Sequence, residues 1–150
     1  MIFVRDIIKL LTIVRLLKIV IIMIFANTDK EITIIYYSED HVGKQILAYA
    51  QTEGLPIHEI DLVHTKLQGT HWADLAGRMN VEIKDLINTE GPSFLQKFEG
   101  TTDLSSQGWL TLLEHNPDIL KAPIVMKGDK IVMMSNPQDM LSFVQEKSSI

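Results

Sequence analysis

The pattern of apolar and polar positions changes character at about residue 26. Before that point apolar residues run almost unbroken; after it they recur at short intervals separated by polar turns. Residues 31–37 (EITIIYY) are β-branched and aromatic, which predicts a strand. Ser38, Glu39 and Asp40 form a polar turn with side chains able to cap a helix. Residues 42–53 then place Ile46, Leu47, Tyr49 and Ala50 at helical intervals, and Gly54 and Pro56 close the helix. Residues 57–62 alternate only loosely, but their length and flanks predict a second strand. A helical crossover between two such strands implies that they pair in parallel.

The middle of the chain reads as helical. Thr70 is placed to cap a helix through Trp72, Leu75 and Ala76 to Met79. Asn80 is placed to cap a second one carrying Val81, Ile83, Leu86 and Ile87, broken by Gly91-Pro92. Residues 94–98 predict a short helical turn. Ser105 or Ser106 starts a further helix through Trp109, Leu110, Leu112 and Leu113, ending near Asn116-Pro117. The last third reads strand, turn, strand, helix. Pro123 precedes Ile124-Val125-Met126, residues 127–130 make a hairpin turn, and residues 131–134 return. Asn136-Pro137 opens the final helix, with Met140, Leu141 and Val144 as its apolar stripe.

Composition narrows the chemistry. The 150 residues suffice for one domain and one core, with 46% hydrophobic and 22% charged residues. There is no cysteine, which excludes disulfides, thiolate metal sites and cysteine nucleophiles within this chain. The net charge of −5 argues against direct nucleic-acid binding, which needs a basic face.

Residues 1–25 form an extension distinct from the domain at 26–150. The extension holds Arg5, Lys9, Arg15 and Lys18 against Asp6, and the domain holds ten basic and eighteen acidic residues. A membrane span is marginal, because each central Lys or Arg costs about 2.5–3.5 kcal/mol against roughly 0.3–0.6 gained per Ile or Leu. An interfacial helix needs its charges on one face, but Lys9 and Lys18 fall on opposite sides. Phe25-Ala26-Asn27 is a poor cleavage site. The favoured expectation is a start near Met23, ahead of the first strand. N-terminal sequencing of the native protein that finds Met1 contradicts it.

Few residues offer a site of their own. Asp40 reads as a helix cap rather than an acid in a cleft, since only His41 adjoins it as a base. Gly43-Lys44 lacks the spacing of a phosphate loop. His41, His58, His64, His71 and His115 contain no pair at the helical spacing of a zinc site, although His64 and His71 flank one loop. Trp72 and Trp109 sit among leucines at helical spacing and are expected in the core rather than on a binding surface. The acidic excess reads mainly as a solvated surface.

The order βαβ, helical insert, ββα matches the thioredoxin layout, and Pro123 just before the third strand adds a specific detail. Three segments carry a closer resemblance: ITIIYYSEDHVGKQILAYAQTEGLPIHEIDL, WADLAGRMNVEIKDLI and LLEHNPDILKAPIVMKGDKIVMMSNPQDMLSFV. Together they span about 30–147 and resemble glutaredoxin-coupled arsenate reductases and their Spx relatives. "NPDILKAPIV" and "NPQD" are the most specific pieces. The resemblance implies an α/β, thioredoxin-like fold with the all-helical insertion of the ArsC type, and a cis bond before Pro123.

The resemblance also implies where the family's chemistry would lie. Its nucleophilic cysteine corresponds to Asp40, give or take one position, and the second cysteine of Spx-type members to Gly43. Its three anion-binding arginines correspond to Asn88, Ala122 and Asn136. None of the five keeps the family's chemical group. The resemblance therefore implies a cytoplasmic protein without a cofactor that has lost the reaction and serves as a binding or regulatory domain. Spx relatives work through protein contacts, so a protein partner is expected. Weak glutathione binding is expected at Val42, Ala122 and Pro123, where the thioredoxin groove holds that thiol. A glutathione- or glutaredoxin-linked oxidoreductase using a partner's thiol, and a structural domain without ligand, are the alternatives.

Overall fold

A computed structural model describes residues 4–24 and 30–145, with the side chains of 16–24 outside that description. The expected boundary at residues 25 and 26 also lies outside it. The order is α1 (Val4–Ile24), β1 (Ile32–Tyr36), α2 (His41–Thr52), β2 (Ile57–Asp61), α3 (Gly69–Met79), α4 (Pro92–Phe98), α5 (Ser106–His115), β3 (Ile124–Lys127), β4 (Lys130–Met133) and α6 (Asp139–Gln145). Two 3-10 turns, Ile83–Leu86 and Pro117–Ile119, complete the insert.

The four strands form one sheet in the order β2-β1-β3-β4. β1 and β2 pair in parallel, with Ile32 opposite Ile57, as a helical crossover requires. β3 runs antiparallel to both β1 and β4. The hairpin between β3 and β4 turns at Gly128, whose φ of 58° lies in the left-handed region that glycine enters without penalty.

β1 is buried along its whole length, and its alternation feeds two cores. Ile32, Ile34 and Tyr36 meet Ile46 and Ala50 of α2, Val125 of β3 and Met140 and Phe143 of α6. Ile35, with Ile124 and Met126 of β3, meets the insert through Trp72, Leu75, Leu86, Phe94, Trp109 and Leu113. Both tryptophans are thus core residues. Phe94 stacks on Trp109 with ring centroids 6.2 Å apart, which ties α4 to α5.

Several local expectations are corrected. Thr70 does not cap α3; the helix starts at Gly69 after Gln68, whose backbone N–H donates to His71 Nδ1 at 3.0 Å. Asn80 ends α3 instead of starting a second helix. It adopts the left-handed conformation (φ 56°, ψ 45°) that Asn tolerates better than most residues, and its N–H reaches back to Ala76 and Gly77. The expected second helix shortens to one 3-10 turn because Ile87 goes extended to bridge Leu120.

At the C-terminal end, α6 starts at Asp139, two residues later than Pro137, after a turn in which the Asp139 N–H donates to the Asn136 carbonyl. Phe143, not Leu141, joins Met140 in the core, and Leu141 stays exposed. Finally, no peptide bond among the described residues is cis, so the bond before Pro123 is trans. Trans is the lower-energy isomer of an X–Pro bond by roughly 0.5–1 kcal/mol. In this isomer the Pro123 carbonyl accepts from Met134 N–H at 2.8 Å.

Candidate functional site: the groove at the start of α2

A groove of about 510 Å³ opens where β1 ends and α2 begins. It is lined by Tyr37, Glu39, Asp40 and Val42 around the start of α2, by Asn88, Gly91, Pro92, Ser93 and Phe94 of the insert, and by Asp118, Leu120, Lys121, Ala122 and Pro123 ahead of β3. Of the positions that the sequence singled out, five meet here: Asp40, Val42, Asn88, Ala122 and Pro123.

Asp40 stands at the N-cap of α2 with extended backbone (φ −85°, ψ 131°), and its Oδ1 accepts from Val42 N–H at 3.3 Å. The sequence contains the reason. Tyr37 ends the strand, Asp40 N–H closes a turn onto the Tyr37 carbonyl at 2.9 Å, and an aspartate at the next helix start satisfies a donor that the helix leaves open. Free N–H groups and the helix dipole favour negative charge at this spot, which is the property that would activate a thiol. Here the charge is already present as a carboxylate.

Gly43 does not line the groove. It is buried on the inner side of α2, and a Cβ built on it would lie 3.1 Å from Tyr36 Cδ2 and 3.2 Å from the Tyr37 carbonyl oxygen. The missing side chain lets the first turn of α2 approach β1 closely. A cysteine would have to displace that contact.

Asn88 is placed in the lining by backbone bonds. Its N–H donates to Ile119 at 2.9 Å, and its carbonyl accepts from Gly91 at 3.1 Å. Its amide packs against Gly91, where an added Cβ would come within 2.6 Å of Nδ2. Ala122 is buried in the lining and carries no group that reaches a ligand's charge. Asn136 is absent from the lining. Its Oδ1 accepts from Gln138 N–H at 3.2 Å, so it serves the turn that starts α6.

The electrostatics of the groove are set by residues that the sequence reading passed over. Glu39 and Asp118 add two carboxylates to Asp40, while the exposed Lys121 adds one cation to the lining. Asp118 is held by Lys97 of α4 at 2.9 Å. The Tyr37 hydroxyl donates to Glu39 at 3.2 Å and is pushed above its usual range, by burial first and then by Glu39 and Asp118. Behind it, Asp61 at the end of β2 accepts from Ser38 N–H at 3.2 Å and Val63 N–H at 3.0 Å. Burial raises the Asp61 pKa, but these bonds and nearby His64 outweigh it and leave the carboxyl below its ordinary value. A visible signal existed for two of these residues: Asp118 and Lys121 lie within the "NPDILKAPIV" stretch. Glu39 and the turn 91–93 needed the fold.

An arsenate or phosphate entering this groove meets an aspartate on the helix start and finds no arginine in the lining. The histidines do not converge either. His71 is engaged at the start of α3, His64 lies beside Asp61, His58 faces Glu31 at 3.9 Å and His115 bonds the Thr111 carbonyl.

The fold has known counterparts. It is shared with an arsenate reductase from Vibrio cholerae at 15% identity and a TM-score of 0.66, the match covering 77% of this chain and 98% of that one. An arsenate reductase (ArsC) related protein from Brucella melitensis matches at 15% identity and a TM-score of 0.60, over 77% of this chain and 96% of its own. A protein from Staphylococcus aureus COL matches at 25% identity and a TM-score of 0.55, over 72% and 94% respectively. The domain thus has the thioredoxin-like fold of the arsenate-reductase structures, helical insert included. No protein-family model matches the sequence, and no curated protein gives a significant match.

Proposed function

We propose that this chain is an arsenate-reductase-family domain that has lost the reaction and acts by binding, as a cytoplasmic regulatory or adaptor module whose groove receives a polypeptide partner. The observation that carries this reading is Asp40: at the helix start where the family's thiol would stand, a carboxylate caps α2 through Val42 N–H. Asn88 and Ala122, at two arginine positions, line the same groove without charge, and Asn136 is drawn away to α6. Leu120, Ala122 and Pro123 give the lining an apolar part on which an extended chain or a small thiol peptide could rest. Among the described residues, no helix is long and apolar enough to cross a membrane.

The test is an amide-shift titration of the whole chain with arsenate and, separately, glutathione. Arsenate is expected to move no resonance around the groove. Glutathione is expected to shift amides around Val42 and Ala122 weakly and nowhere else. Saturable arsenate shifts at Asp40 and Val42 would overturn the loss of the anion site. Glutathione shifts scattered over the surface would remove the groove as the binding site.

A further inference from the structure

The groove at the start of α2 has the opposite polarity to the one that the resemblance implies. In place of a thiol and guanidinium groups for an oxyanion, Glu39, Asp40 and Asp118 line it, and no arginine does. The three carboxylates are not equivalent. Asp118 is neutralised by Lys97 at 2.9 Å. Glu39 and Asp40 are exposed, and neither pairs with a Lys or Arg among the described residues. Each gives one oxygen to a neutral donor: Glu39 Oε2 to the Tyr37 hydroxyl at 3.2 Å, and Asp40 Oδ1 to Val42 N–H at 3.3 Å. The second oxygen of each makes no hydrogen bond among the described residues and is open to a charged donor.

Two features oppose a cation here: Lys121 in the lining, and the N–H groups at the start of α2. Lys121 sets one charge against two, and Asp40 already occupies the Val42 N–H. The Tyr37 hydroxyl reports the balance. Burial raises its pKa first, and then Glu39, Asp118 and Asp61 raise it further, as a negative local field does. Leu120, Ala122 and Pro123 supply the apolar part of the same lining. A segment that rests apolar residues there and presents a basic side chain to Glu39 and Asp40 matches both parts, and about 510 Å³ holds a few side chains.

We infer that the groove takes an extended polypeptide segment bearing arginine or lysine, whose cation is held by Glu39 and Asp40. This rests on the binding role proposed above and specifies the chemistry of the partner.

Fluorescence polarisation of two short labelled peptides with the full chain tests it, one alternating leucine and arginine, the other leucine and glutamate. The arginine peptide is expected to bind at least roughly ten-fold more tightly, and to weaken as salt rises, because exposed charges are screened. Asp40→Asn removes the charge and keeps the cap, since Asn caps a helix as well as Asp does. It is expected to weaken the arginine peptide about two- to five-fold, and Glu39→Gln likewise. Asp129→Asn, in the hairpin at the other end of β3, removes the same charge from the same acidic domain and is expected to change nothing. Amide shifts with the arginine peptide should fall at Glu39, Val42 and Ala122. Equal affinity for the two peptides would overturn the inference, and shifts still at Val42 and Ala122 would then leave the groove as the binding site. Equal weakening by Asp40→Asn and Asp129→Asn would overturn it too, since the attraction would belong to the whole acidic surface. So would an arginine peptide that does not bind while glutathione still shifts Val42 and Ala122, and that result spares the groove.

Discussion

The starts of α2 and α6 are built alike and serve different ends. At each, a short polar side chain accepts from the N–H two residues on: Asp40 from Val42, Asn136 from Gln138. At each, the resemblance places a group that handles the oxyanion. Only the first opens onto the groove. Asp40 caps α2 itself, whereas Asn136 closes the turn that leads into α6. Local hydrogen bonding accounts for both residues without any ligand. What distinguishes Asp40 is its surroundings: it shares a groove with Tyr37, Glu39 and Asp118 and with the apolar Leu120, Ala122 and Pro123.

The comparison breaks most visibly at Gly43, which has no counterpart at the start of α6. Gly43→Val should destabilise the domain by about 1–3 kcal/mol, because the side chain collides with Tyr36 and the Tyr37 carbonyl. Urea unfolding measures it; an unchanged midpoint would show that α2 does not depend on that close approach. Next in size are the cap of α2 and the turn before α6. Asp40→Ala should cost about 1 kcal/mol and Asn136→Ala about 0.5, the latter less because Asn136 closes a turn ahead of a seven-residue helix rather than capping it. Equal costs would erase the distinction between the two helix starts.

The remaining effects are pH-dependent, are small near neutral pH, and belong to the α2 corner. Asp61 has a lowered pKa in the folded chain, so the unfolded chain takes up its proton first as pH falls. Its contribution is therefore present above the ordinary carboxylate range of about 4 and lost as pH drops through the folded value. Asp61→Asn should flatten that part of the stability profile. Tyr36 runs the other way. Burial, and then Glu59, push its hydroxyl up to about 12, so its contribution fades as pH rises from about 10 towards 12, and Tyr36→Phe should remove that decline. A profile unchanged by either substitution would remove the coupling of β2 to this corner.

Much of the fold was legible because local and tertiary preferences agree. The run 31–37, the helix closed by Gly54 and the hairpin at Gly128 each carry their own signals, and each element forms within a residue or two of its expected bounds. The misses occur where a distant partner decides. Ile87 leaves a helical pattern to pair with Leu120, and Phe143 rather than Leu141 turns inward against α2 and the sheet. Asn80 served either cap by residue type, and the chain used its tolerance of the left-handed conformation. The site was half legible. Asp40, Asn88 and Ala122 line one groove, whereas Asn136 is drawn into the turn before α6 and Pro123 keeps the ordinary trans bond in place of the cis one that the resemblance implied. The acidic lining needed Glu39 and Asp118 to be brought together from positions far apart in sequence.

The central claim is that the scaffold persists while the reaction is gone. It is tested most directly by following arsenate-dependent oxidation of glutathione with the purified chain and glutaredoxin. The rate should equal that of the same mixture without the chain. Turnover above that blank, proportional to the concentration of the chain, would contradict the account.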